Sequence, residues 1–452
     1  MKKKCLLFFL IIIASILSAN SQNGFRFQDI TKKKQRVSFR LINNLIVIPV
    51  DINGQTLSFI LDTGVNKTII FSPSKNDSIG LLDPIKISLT GLGGGKPVDA
   101  ILSKNNKMKI KGLVGYNESI YVIFKDFFNL SRKMGTTIHG IIGYNLLKNF
   151  VVKINYKSKK IYFYNSDRYS FKQCKRCEVL PIQFYRKKPY VNIKVQLDTI
   201  GTRLITVKML VDSGGSDAIW LFENSKSEIQ TPVRHFNDIL GEGLSGSILG
   251  KRSRIPKLKI GNFEITKPTV SFLDTISTLN ARKFKSRNGS IGGNILKRFT
   301  VWLDYSKKQI MLKKNSSFKA SFNYNMSGLD IVYSGKQLVK EENTKLVPVT
   351  YNSKSESNNS ISFVTNYSFF TNYSYKFKPT YKIREVVKNA VGDKAGLKAG
   401  DIILEINRKP AYTYTLNDII NKLQERENKK IRITIRRNGQ KMTFSFRLEK
   451  RI

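Results

Sequence analysis

Two aspartates, Asp62 and Asp212, occupy nearly the same setting 150 residues apart. Each closes a strand-like run, Leu57 to Leu61 and Ile205 to Val211, and each is followed by a small hydroxyl and a glycine. The stretches read "SFILDTGVNKTII" and "VKMLVDSGGSDAIWL". One such word is explained by a strand entering a turn, where aspartate and glycine are ordinary residues. Two of them can do chemistry together. Carboxyls ~3 Å apart cannot both ionise easily, so they share one proton and their apparent pKa values are forced apart. The ionised member then takes a proton from water while the protonated member donates to a carbonyl oxygen, which is amide hydrolysis without metal or covalent intermediate. The neighbours fit that task. Thr63 and Ser213 would bond the opposite half's backbone, and Gly64 and Gly214 would leave their amides open to the carboxylates.

Such a pair needs two matching frames, and the chain repeats itself accordingly. "GIIGYNLLKNF" (140–150) matches "GSIGGNILKRF" (289–299) at seven of eleven positions, and each copy leads into a similar alternating hairpin, "VVKINYKSKKIYF" and "TVWLDYSKKQIML". Between aspartate and repeat lies a glycine cluster in each half, with Gly91 and Gly241 each 29 residues beyond their aspartate. Three landmarks in one order, at offsets of 150, 150 and 149, define a duplicated unit. The segments within it are short, rich in Ile, Val, Leu and Thr, and punctuated by Gly and Asn. They predict two mainly β lobes at about 23–178 and 179–315.

Composition changes after residue 315. Residues 343–378 are rich in Ser, Asn and Tyr and read as an inserted loop or irregular hairpin. Beyond them come strands around one amphipathic helix, with Thr415 as N-cap and Leu416, Ile419, Ile420 and Leu423 on one face. A third domain is expected over 316–452.

The duplicated "LDTG" and "VDSG", each followed ~80 residues later by "IIG" or "SIG", resemble the aspartic peptidases of the pepsin and retropepsin type. The match is closer to a fused pair of retropepsin-like lobes than to pepsin. The resemblance implies a bilobal acid-protease fold, Asp62 and Asp212 as the catalytic dyad, no cofactor or metal, and a polypeptide substrate. It also implies flap hairpins at the glycine clusters, represented by Gly91, Gly93, Gly241 and Gly243. The stretch "DKAGLKAGDIILEINRKP" (393–410) is similar to the turn and strand of bacterial PDZ domains, small α+β barrels that bind a peptide C-terminus by strand addition. Gly328, Leu329, Asp330 and Ile331 are then the candidate carboxylate-binding loop. The competing reading is a non-catalytic, protease-like shell with a PDZ domain that only binds polypeptides.

The first 22 residues, "MKKKCLLFFLIIIASILSANSQ", follow the order of a secretory signal peptide, and no later apolar run approaches the ~18 residues of a membrane span. Export is expected, to the periplasm or as a secreted or cell-envelope protein, with the mature chain a monomer. A formal charge of +46 would favour anionic partners, but the lysines are spread along the chain instead of forming one arm, so no nucleic-acid role is expected. Cys174 and Cys177 of "FKQCKRC" read as a small exposed disulfide or two free thiols. They fall short of the four ligands of a zinc site, because His139 and His235 lie far away in sequence.

Overall fold

The computed structural model describes residues 24–71, 79–89, 97–124, 130–171, 173–243, 246–354 and 361–452. The expected signal segment, Gly91 and Gly93 lie outside them. The chain divides into two compact units: Met1–Ser131 with Thr136–Tyr324 and Arg451–Ile452, and Asn325–Lys450 with Arg132–Gly135. Both are built mainly of strands, as the punctuated β-branched runs predict.

The first unit holds the duplicated lobes, each a large mixed sheet, of nine strands in the first half and ten in the second. The strand Gln55–Leu61, which ends at Asp62, is flanked antiparallel by Leu45–Ile52 and parallel by Gly140–Ile142. The second half repeats this: Leu204–Val211, ending at Asp212, lies between Lys188–Gln196 and the parallel Gly289–Ile291. Phe59, Leu61 and Ile142 in one lobe, and Val207, Met209 and Ile291 in the other, are buried in one continuous apolar core. Complete burial of side chains of this size is worth about 1.5–3 kcal/mol each.

A third sheet joins the lobes. Its six strands run Cys177–Pro181, Gln309–Lys314, Phe299–Asp304, Phe150–Asn155, Lys160–Asn165 and Lys34–Ser38. The two hairpins that follow the sequence repeats thus pair with each other across its centre. Val151 lies opposite Asp304, Asn155 opposite Thr300, and Lys153 opposite Trp302. Lys153 and Trp302 are equivalent positions in the repeat, so the two-fold relation of the halves passes between them. The Lys153 ammonium lies 4.9 Å from the Trp302 ring centroid, a cation–π distance.

Cys174 and Cys177 form a disulfide, which settles one of the two alternatives left by the sequence. His139 is structural. Its Nδ1 accepts from the Ser58 amide at 2.9 Å, while the equivalent Asn288 accepts from the Lys208 amide at 2.9 Å through Oδ1.

The second unit carries a sheet ordered Leu329–Lys354, Ile361–Val386, Ile402–Ile406, Lys430–Arg437, Gln440–Arg447. The helix Leu416–Leu423 starts as expected: Thr415 and Asp418 cap each other reciprocally, and Leu416, Ile419 and Leu423 are buried. The stretch 343–378 departs in part from the sequence reading. Of the two alternatives the hairpin holds but is regular: the described residues 343–354 and 361–378 lie in an antiparallel ribbon of two 26-residue strands, with only two register shifts, both near its base. Composition misleads there because Tyr, Phe, Thr and Val have high strand propensity even when they find no core. Tyr367, Phe369, Tyr373, Tyr375 and Phe377 alternate along one face and all stay exposed.

Candidate active site

The two aspartates meet because the turns that carry them are locked by reciprocal hydrogen bonds. The Thr63 amide donates to Ser213 Oγ at 3.0 Å, and the Ser213 amide donates to Thr63 Oγ1 at 3.0 Å. The Thr63 hydroxyl donates to the Val211 carbonyl at 2.6 Å, and the Ser213 hydroxyl to the Leu61 carbonyl at 2.8 Å. Each hydroxyl therefore both donates and accepts, and both side chains are 1 % exposed. Only a small hydroxyl-bearing residue can fill this position on both sides.

The segments "IIG" and "SIG" hold the turns from below. Their strands continue the parallel pairing past its end: the Asp62 amide donates to the Ile142 carbonyl at 2.9 Å, and the Asp212 amide to that of Ile291 at 3.0 Å. Chain then passes close beside chain. A Cβ on Gly143 would stand 2.2 Å from the Asp62 carbonyl oxygen, and one on Gly292 would stand 2.3 Å from that of Asp217. Glycine is the residue that admits such an approach.

Asp62 and Asp212 are half-buried residues at the two turns. Gly64 donates its amide to Asp62 Oδ1 at 2.6 Å, and Gly214 to Asp212 Oδ1 at 3.1 Å. Asp62 also shares a hydrogen bond with the Asp212 side chain. Gly214 packs against Asp62 so tightly that a Cβ there would stand 2.2 Å from its Cγ. Burial, and next the Asp212 charge, push the Asp62 carboxyl up to about 8, against the lowering influence of the Gly64 amide and Lys188. A carboxyl held protonated beside an aspartate is the chemical requirement for one group to donate while its partner accepts.

The second glycine cluster forms the hairpin expected of a flap. Strands Phe236–Gly243 and Gly246–Arg254 pair antiparallel, with Gly241 beside a bulge and Gly243 opposite Gly246 at the tip. Arg252 anchors its base by ion pairs to Asp238 at 2.7 Å and to Asp217 at 3.1 Å, and Asp217 also accepts from Trp220 Nε1 at 2.8 Å. Asp217 lies in the same "DSGGSD" turn as Asp212, so the hairpin is tied directly to the carboxyl-bearing loop. In the first lobe the hairpin Ile85–Leu89 and Val98–Ile110 is described up to Leu89 and Val98.

Among the residues beside the aspartates that sequence reading missed are Lys188, Tyr190 and Arg287. Each interacts electrostatically with Asp212, and Lys188 with Asp62 as well. Their signal was present but required alignment of the halves, since each stands where the first lobe has an apolar residue.

In the second unit, Gly328 takes a left-handed conformation at φ 74° and faces Ala390. Leu329 and Ile331 turn into the core, the Leu329 amide donates to Ser327 Oγ at 3.1 Å, and Asp330 pairs with Arg384. The side chains of the proposed loop are thus committed inward or to a neighbour. The strand Leu329–Lys354 nevertheless stands at the edge of its sheet among the described residues, open to strand addition on its outer side.

Comparison with known families agrees with this geometry. An aspartyl protease family model matches residues 48–146 and again 195–295, each copy spanning one aspartate turn and its supporting glycine segment. A PDZ domain model matches residues 382–437. No curated protein matches the chain. With two interlocked aspartate turns inside two successive family matches, the chain belongs to the retropepsin-like aspartyl proteases and carries a PDZ domain.

Proposed function

We propose that the protein is an exported aspartic endopeptidase in which Asp62 and Asp212 share one proton and hydrolyse peptide bonds, with the PDZ domain positioning polypeptide substrates. The observation that carries this reading is the reciprocal Thr63–Ser213 lock, which holds the two carboxyls in hydrogen-bonding contact. The ionised carboxylate takes a proton from water as the oxygen attacks the amide carbon, and the protonated carboxyl gives its proton to the carbonyl oxygen. The neutral tetrahedral diol then collapses. One hydroxyl gives its proton to the ionised carboxylate while the protonated carboxyl gives its proton to the nitrogen, the C–N bond breaks, and the pair again holds one proton. Atoms and charge balance with one water consumed.

The signal-like order of residues 1–22 supports export, and the open edge strand of the second unit supports peptide capture. The test is incubation of the purified chain with unstructured polypeptides from pH 3 to 8, with and without a statine-type inhibitor. Inhibitor-sensitive cleavage that disappears in Asp62→Asn and in Asp212→Asn, with thermal melting retained, is the expected outcome. Cleavage that survives either substitution overturns it, and binding without cleavage favours a protease-like binding protein.

A further inference from the structure

The two halves are not chemically equal where they flank the aspartates. In the second lobe the hairpin Gln183–Tyr185 with Lys188–Gln196 turns on Arg186 and Lys187, at φ 49° and 66°. In the first lobe, Arg40–Ile42 with Leu45–Ile52 turns on Asn43 and Asn44, at 47° and 66°. Tyr190 pairs with Leu210, two residues before Asp212, and Val47 pairs with Ile60, two residues before Asp62. Continuing each register by two residues sets Lys188 across from Asp212 and Leu45 across from Asp62. Arg287 likewise precedes Asn288 and Gly289 as Ile138 precedes His139 and Gly140. Three buried apolar residues beside one aspartate, Leu45, Val47 and Ile138, correspond to Lys188, Tyr190 and Arg287 beside the other.

Lys188 and Arg287 are the cations of this set, and among the described residues neither makes a direct ion pair with any carboxylate, so their influence on the aspartates acts through space. Arg287 is 5 % exposed, donates Nε to the Gly289 carbonyl at 3.1 Å and lies over the Phe222 ring. Around Lys188 stand Asp62 and Asp212 from the two turns, Arg287 from the segment before Gly289, and Arg186 from its own hairpin turn. Tyr190 interacts electrostatically with Asp212, and Tyr305 with Asp62. The hairpin turn is itself fixed to the first lobe, since Asn66 Nδ2 donates to the Arg186 carbonyl at 3.2 Å.

We propose that Lys188 is a positioning residue of the dyad: an ammonium on one side only, which favours a single negative charge on the aspartate pair. Placing cations in one half alone breaks the two-fold symmetry that the duplicated turns impose. Burial, and next the Arg287 charge, hold the Lys188 ammonium below its ordinary range, and Asp62 and Asp212 oppose that by favouring its charged form. The reciprocal effect on the pair stabilises its singly ionised form at lower pH than burial alone would permit. This role rests on the proposed peptidase reading of the same carboxyls.

The test is a ¹³C-carboxyl NMR titration of the full chain, wild type against Lys188→Leu, which installs the residue found at the equivalent position of the first lobe. Lys188→Gln serves as a second variant if Lys188→Leu fails to fold. The first ionisation of the pair should move up by about one pH unit. The acid limb of kcat/KM should move with it, and Lys188→Arg should restore both. An unchanged carboxyl titration overturns the inference, including where KM alone rises, which would make Lys188 a substrate contact. A shifted titration in a chain that cleaves nothing upholds the role of Lys188 while overturning the peptidase reading.

Discussion

The hydroxyl of Thr63 is the residue-scale device that turns two separate words into one site. It satisfies a buried carbonyl and a buried amide of the opposite lobe together, so Thr63→Val leaves both orphaned at about 1–3 kcal/mol each. Chemical denaturation should show a loss of about 3 kcal/mol, with less than additive loss on adding Ser213→Ala, because both belong to one network. Asp62 gives a pH signature with a definite sign. Its folded pKa is raised above the ordinary 3.8 to about 8, so its contribution to stability is complete below pH 4. That contribution is lost as the pH rises through 8, because the unfolded chain ionises first. The melting temperature of the wild type should therefore fall between pH 4 and 8 more steeply than that of Asp62→Asn; parallel curves would contradict the raised carboxyl.

Among the elements, the two-stranded ribbon and the disulfide are peripheral to folding for different reasons. Along the ribbon's outer stretch the strands pair only with each other, and the aromatic side chains of its exposed face bury little. Replacing residues 340–375 by an Asn-Gly turn should leave the cooperative melt of the second unit intact and reduce self-association, since a long exposed apolar edge invites pairing with other chains. Light scattering and calorimetry read the two effects separately. Cys174–Cys177 closes a loop with only two intervening residues, so its entropic contribution is at most about 2 kcal/mol, and Cys174→Ser should lower stability by no more than that.

At the scale of the whole molecule, 78 basic residues against 32 acidic ones set a positive field. Such a field steers acidic polypeptides toward the chain and is screened by salt. For acidic peptides kcat/KM should fall as ionic strength rises while kcat stays constant, and basic peptides should show the opposite trend in kcat/KM. A salt effect confined to kcat would place the charge dependence in the chemical step instead.

The sequence by itself determined the duplication, the mainly β lobes and the two aspartate turns. Those features are local: apolar alternation, a hydroxyl and a glycine after each aspartate, and a repeat at a constant offset. It also determined the capped helix Leu416–Leu423, whose N-cap and apolar face lie within one short window. Only the tertiary structure decided that the hairpins after the repeats join into one six-stranded sheet, and that residues 343–354 and 361–378 pair as a regular ribbon. It alone placed Lys188, Tyr190 and Arg287 beside the carboxyls, since strand register brings residues 24 and 75 positions from Asp212 into its surroundings. The reason is that pairing and charge proximity depend on which distant strands become neighbours, and that choice is made by burial of the whole core, which no short window of residues contains.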